Sequence, residues 1–343
     1  MLASSSALAN TSVKTSQLYV ESLLHASVTP VSIDDFINDW QGSLKSGDYA
    51  FADGRLRTGV VLNGWEVAVE KRWHYDLRFT PDTAQLYYNI ENKVPSNQQY
   101  QLGLSANVLH AEGIRFAKLF HYEQFAIKPI VTFYQAGFYQ IGKISSVASG
   151  DIAAKEDIAI DLDVLDYHYS EDKILESPFG GEQGEGVSFD IALQYENKEW
   201  AISVVSQDLY NRWQFNEAAF LRGSVCFRWK TNKAGCDTSA SNEEQKSHIE
   251  SYSSSLSSSL STEVTYKPYG LSVNTFTHGR YQRLGVQKDW FTPVGVLGAS
   301  AYSTKQLGLH WQSQWHRLGL LLDQPNWKKV RHAQVDLAIT VPW

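Results

Sequence analysis

The sequence predicts an all-β chain closed into one antiparallel up-and-down barrel of about 14 strands, with a range of about 12–16, preceded by a short helical segment. Three observations predict it. Apolar and polar residues alternate at every second position in segment after segment, the period of a pleated strand with two unlike faces. Charged or titratable residues stand at successive positions of one polar face, in Glu66, Glu70, Arg72, His74, Asp76 and Arg78 above all. A dry core between two packed sheets does not tolerate such a row, whereas a polar lumen does. Aromatic residues make up 13% of the chain, with 11 Trp and 18 Tyr, and several stand at the ends of the alternating segments.

The alternating segments suit a transmembrane barrel. No run approaches the roughly 18 apolar residues of a spanning helix, but a strand spans with about 9–11 residues that are apolar only at alternate positions. A closed barrel also satisfies every backbone group in lipid. The net charge of −7 comes from dispersed acids, with no basic stripe, which excludes nucleic acid as a partner.

Along the chain, residues 1–9 read as the remnant of a secretory signal, with Ala7-Leu8-Ala9 fitting the small-x-small cleavage pattern. Residues 10–53 do not alternate and are expected to form a periplasmic or plug segment. Within them Ser32 is a helix N-cap ahead of Ile33, Phe36, Ile37 and Trp40 at helical spacing. The barrel is expected over 54–343. Asn63-Gly64 is a hairpin turn, because a type I′ turn needs positive φ at both central residues. After it Trp65, Val67, Val69, Trp73, Tyr75, Leu77 and Phe79 share one face, broken only by Lys71. Leu86, Tyr88 and Ile90 are read as a further, less regular strand, and residues 113–147 alternate weakly. Residues 230–262 are read as a long Ser-rich extracellular loop. Cys226 and Cys236 are the only two cysteines and would close a loop in an oxidising compartment. They cannot build a structural zinc site, having no histidine nearby.

The candidate functional residues are the inward charges: Asp157, Asp161 and Asp163 on one strand, and Arg72, Arg78, Arg222 and Arg228 elsewhere. Facing one another they would set a transverse field that sorts solutes by charge, or else form a structural ion-pair lattice. A calcium site on the three aspartates is a weaker alternative, and no metal is assigned. Trp65, Trp73, Trp229, Trp315 and Trp343 are expected as membrane-interface anchors. No nucleophile elbow and no His-Glu-x-x-His motif occurs, so no catalytic residue or cofactor is assigned and the chain is not expected to be an enzyme.

The closing residues carry a resemblance. Val335, Leu337, Ile339, Val341 and Trp343 alternate with Asp336, Ala338, Thr340 and Pro342. This resembles the last strand of bacterial outer-membrane β-barrel proteins, an amphipathic strand ending in Phe or Trp. The resemblance implies an outer-membrane location in a Gram-negative envelope, insertion by the barrel-assembly machinery, and lipid and lipopolysaccharide as surroundings. Pro342 departs from the pattern, since it lacks an N–H. The expected seam joins this strand to the region of residues 55–62. The expected function is a channel or transport barrel for hydrophilic solutes through a charged lumen. One alternative is a non-conducting barrel that contacts other envelope components, partly through residues 10–53; another is a soluble carbohydrate-binding sandwich.

Overall fold

The structure is a computed structural model that describes residues 16–38, 40–96, 98–149, 159–171, 180–228 and 248–343. The segment 1–9, Asp157, Trp229 and Cys236 lie outside the described residues, as do the side chains of Asp161, Asp163, Cys226 and Arg228. In chain order the elements are β1 (Gln17–Val28), α1 (Ile33–Ile37), β2 (Tyr49–Leu62), β3 (Trp65–Phe79), α2 (Pro81–Asn92), β4 (Tyr100–Lys118), β5 (Phe120–Tyr122), β6 (Phe125–Ser149), β7 (Ala159–Tyr169), β8 (Gly184–Glu196) and β9 (Trp200–Arg228). They continue with β10 (His248–Ser254), β11 (Ser259–Tyr266), β12 (Leu271–His278), β13 (Tyr281–Thr292), β14 (Gly295–Tyr302), β15 (Leu307–Gln312), β16 (His316–Leu322) and β17 (His332–Pro342).

All described strands join one antiparallel sheet, and the sheet closes because β1 pairs with β2 on one side and β17 on the other. The closed wall has fourteen strands. The surplus is explained by β6 and β9, which are long enough to take different partners along their length. The first part of β6 pairs with β8 and its last part with β7. The first part of β9 pairs with β8 and β11, and its later part with β7 and β10. Thus β7 and β10 prolong the wall upward without adding to its girth, and β5 is a short edge against β6.

The alternation decides which face is which. On β3, Glu66, Glu70, Arg72 and His74 are buried inside, while Trp65, Val67 and Val69 are exposed outside. The same division puts Leu18 and Val20 of β1, Ile114 and Phe116 of β4, and Leu337, Ile339 and Val341 of β17 on the outer surface. The result is a belt of aliphatic and aromatic side chains around a charged interior, the inverse of a soluble protein and the pattern of a barrel set in lipid. The predicted turn is present, with φ of 51° at Asn63 and 77° at Gly64.

Several expectations are corrected. The barrel begins at Gln17, not at residue 54, and the seam joins Val335–Pro342 to residues 17–24 of β1. The residues around Arg55 instead lie one strand further in, on β2. Helix α1 has the predicted cap, Ser32 Oγ accepting from the Asp35 amide at 3.0 Å. The chain crosses the wall once, through β1, before reaching it. The helix therefore sits at the loop end, opposite the chain ends and the short turns. There it shares an apolar cluster with Val28, Trp40, Ala84 and Tyr87. Leu86, Tyr88 and Ile90 belong to helix α2, not to a strand. Thr80 caps that helix through the Thr83 amide, Pro81 occupies its first turn, and Leu86 and Ile90 are also four apart, as helical packing requires. Of the predicted loop 230–262, residues 248–254 and 259–262 are wall.

Pro342 is accommodated by its position. Thr340 donates to Trp315 O, and Trp343 donates to Ser16 O on the opposite side. Amides alternate sides along a strand, so the nitrogen of Pro342 points past the turn where β16 has already ended.

Candidate functional site

The lumen is crossed at mid-height by a plug of ion pairs. Asp53, Arg55 and Arg57 come from β2, Glu66, Glu70 and Arg72 from β3, Arg115 from β4, Asp190 from β8 and Asp208 from β9. All but Asp208 project inward because they occupy the polar parity of their strands. Arg72 grips Asp208 with both terminal nitrogens, at 2.8 and 2.6 Å, and reaches Asp53 at 3.1 Å. Arg55 holds Asp53 at 2.8 Å and Asp208 at 3.4 Å. Arg57 binds Glu70, which also accepts from the Tyr134 hydroxyl, and reaches Glu21 at 2.6 Å. Arg115 bridges Glu66 at 3.0 Å and Asp190 at 3.5 Å. Arg72 is 1% exposed and Arg55 3%, so these charges persist inside the barrel only because each has opposite partners.

Asp208 owes its place to a local distortion. The β8–β9 register shifts between Phe189 and Ile191, and Asp208 takes a φ of 54°, uncommon for a residue with a Cβ. That twist turns its carboxylate into the plug and aims its amide at Asp190 Oδ1, at 2.7 Å. Ser188 Oγ donates to Asp208 Oδ1 at 2.9 Å. Leu209 and Tyr210 are pushed to the outer surface.

Above the plug the wall itself sends a strap inward. Between β10 and β11, residues 255–258 leave the ladder, and Asn211 of β9 clamps Leu256 as a backbone would. Its Oδ1 accepts from the Leu256 amide at 2.6 Å, and its Nδ2 donates to the Leu256 carbonyl at 3.0 Å. Leu256 joins the inner cluster with Leu109, Tyr134, Trp213 and Phe215. Ser257 donates to Asp76 at 3.2 Å, Arg78 donates to Ser257 at 3.2 Å, and Asn107 donates to Ser255 O at 3.2 Å. The strap therefore ties β9 to β3 and β4 across the lumen.

Below the plug, toward the chain ends, lies a polar cavity of about 210 Å³ whose walls include Tyr19, Glu21, Arg57, Lys128, Arg317 and Asp336. Arg317 holds Asp336 at 3.1 Å and Glu21 at 3.6 Å. The pocket above the plug, by His25, Phe51, Phe276 and His278, is only about 20 Å³. No group of three or more metal-ligating side chains occurs among the described residues.

The predicted arginines are not one constellation. Arg72 is in the plug. Arg78 stands above it with Asp76, and Arg222 lies in the upper extension with Glu250 at 2.9 Å and Asp166 at 3.3 Å. The carboxylates that meet Arg72 are Asp53 and Asp208, which the sequence reading did not single out. Glu66, Glu70 and Asp190 were legible as polar-face residues of β3 and β8, whereas Asp208 sits where the alternation breaks. Trp65, Trp315 and Trp343 are exposed at the end bearing the short turns, and Trp73 lies further up the outer face of β3.

No family model matches the sequence, and no curated protein matches it. Among solved structures the chain is similar to the toluene transporter TodX of Pseudomonas putida, with a TM-score of 0.40, 8% identity, and 96% of this chain and 89% of that one covered. The toluene transporter TbuX of Ralstonia pickettii gives 0.30 at 10% identity, covering 96% and 89%. A FadL homologue of Pseudomonas aeruginosa gives 0.26 at 8%, covering 96% and 90%. What the chain is follows from its own wall and interior, a closed sheet with an apolar belt outside and charges within. It is a closed β-barrel of fourteen strands with the face pattern of a membrane-spanning wall.

Proposed function

We propose that this barrel carries small hydrophilic solutes across the outer membrane and that the ion-pair plug is its gate. One observation carries the reading: a polar cavity of about 210 Å³ lies directly under a plug built of side chains. Side-chain rotamers change without breaking the wall, so the plug itself opens when Arg55, Arg72 and their partners re-pair. The strap at residues 255–258 is a second element that must yield. In this reading the chain is no enzyme, and His74, 3.2 Å from Asp53, belongs to the plug. Outer-membrane lipid and lipopolysaccharide surround the belt, with Trp65, Trp73, Trp315 and Trp343 as interface anchors. Val335, Leu337, Ile339, Val341 and Trp343 are the element that the barrel-assembly machinery reads.

The buried plug also suits a second reading, a non-conducting barrel that serves as a scaffold in the envelope. Conductance in planar bilayers separates the two. The wild type is expected to give small, infrequent openings, and Arg72→Gln or Asn211→Ala to give larger or longer ones. Silence of the wild type and of both variants, with the barrels inserted, would sink the transport reading and leave the scaffold.

A further inference from the structure

We propose that the cavity beneath the plug is a binding site for a small organic carboxylate, an assignment that rests on the transport reading and names its class of solute. The cavity has room for about seven waters at roughly 30 Å³ each, the scale of a short organic acid. Its walls carry both signs of charge, with Arg57, Arg115, Lys128 and Arg317 against Glu21, Glu66, Asp190 and Asp336. Hydrogen-bonding capacity is not equally spent on the two sides.

The carboxylates are well supplied. Glu21 accepts from Arg57 and pairs with Arg317. Glu66 takes the Tyr19 hydroxyl at 2.6 Å, Arg115 and Lys128. Asp190 takes Arg115 and the Asp208 amide. The cations retain donors. A guanidinium has five N–H bonds, and that of Arg57 spends Nε on Glu70 and Nη1 on Glu21. Its Nη2 is buried and meets no hydrogen-bond acceptor among the described residues, although the side chain is 10% exposed. Lys128 sits beside Glu66 with 21% of its side chain exposed and has three N–H bonds to distribute.

What Arg57 and Lys128 lack is a further anionic acceptor for the N–H bonds left over from Glu21, Glu66 and Glu70. A carboxylate supplies one, in the plane a guanidinium prefers.

Calorimetric titration of the purified protein in detergent tests this, with succinate, its uncharged diamide succinamide, and inorganic phosphate as probes. Saturable succinate binding is expected, with succinamide and phosphate weaker by about tenfold or more. Arg57→Gln and Lys128→Gln are each expected to weaken succinate by about tenfold, and Lys71→Gln, on the outer wall, to leave it unchanged. Should Arg57→Gln fail to fold, Lys128→Gln decides alone. No saturable succinate binding, equal binding of succinamide, tighter binding of phosphate, or succinate binding untouched by loss of the cavity cations overturns the assignment. The titration needs no open pore. A barrel silent in bilayers that still binds succinate keeps this site and loses the transport reading; a conducting barrel with no succinate binding does the reverse.

Discussion

The two halves of the barrel are built to different standards of regularity. From β12 to β17 every described pairing is one-to-one without a register shift, and each strand meets only its neighbours in sequence or, for β17, the first strand. From β4 to β11 the described ladders slip at five places: between His110 and Ala111, at Ser145, between Leu162 and Leu165, at Phe189 and at Glu250. Two strands of that region are shared among several partners. The irregular half supplies Asp190, Asp208, Arg115 and Asn211, together with the strap at residues 255–258. The regular half closes the wall and adds Arg317 and Asp336 to the cavity. Bulges re-aim side chains and end pairing, which is how a wall of uniform pleat acquires an interior that is not uniform.

Breaking the plug is the strongest test of that contrast. Arg72→Met removes the bidentate partner of Asp208 and leaves a buried carboxylate whose one remaining cation is Arg55 at 3.4 Å, beside the Ser188 hydroxyl. A loss of about 3–5 kcal/mol is expected in denaturant unfolding followed by tryptophan fluorescence. Next comes the clamp. Asn211→Ala orphans the amide and carbonyl of Leu256 and is expected to cost about 1–3 kcal/mol, read as faster hydrogen exchange at Leu256 than at Val273 in the regular half. Packing on the inner face gives a smaller effect that ought to be alike in both halves. A Cβ on Gly186 would come within 2.3 Å of the Trp213 ring, and one on Gly285 within 2.2 Å of Tyr302. Alanine at each is expected to cost about 1–2 kcal/mol by the same unfolding assay. A neutral result at Gly186 alone would show that the irregular half is looser than described. The least effect is expected from Lys71→Met, which removes an ion pair of 2.8 Å to Glu112 on the outer wall. Both side chains are largely exposed, so a change below about 1 kcal/mol in thermal unfolding is expected.

Much of this architecture is local information. A period of two needs only neighbouring residues to express it, and it determined the class of fold and the inside and outside of β3, β8 and β17; equally local signals, the Asn-Gly pair and Ser32 before a helical spacing, determined the turn at Asn63-Gly64 and the cap at Ser32. Glu66, Glu70 and Arg72 were visible as inward charges for the same reason. The alternation failed where one pattern served two structures. Leu86 and Ile90 are spaced for a strand and for a helix alike, and the capping of Thr80 with Pro81 decides for the helix. It failed again at β1, whose mixed sequence becomes wall because β2 and β17 flank it and complete its ladders. Which carboxylate meets which guanidinium was beyond the sequence altogether. Arg72 and Asp208 are 136 positions apart, and only the closure of the sheet, the slip near Phe189 and the positive φ at Asp208 bring them within 2.8 Å. The sequence by itself determined that there would be a barrel with charges inside. The tertiary structure decided which of those charges pair inside the barrel, because a pairing between distant strands is a property of the ring and not of any strand in it.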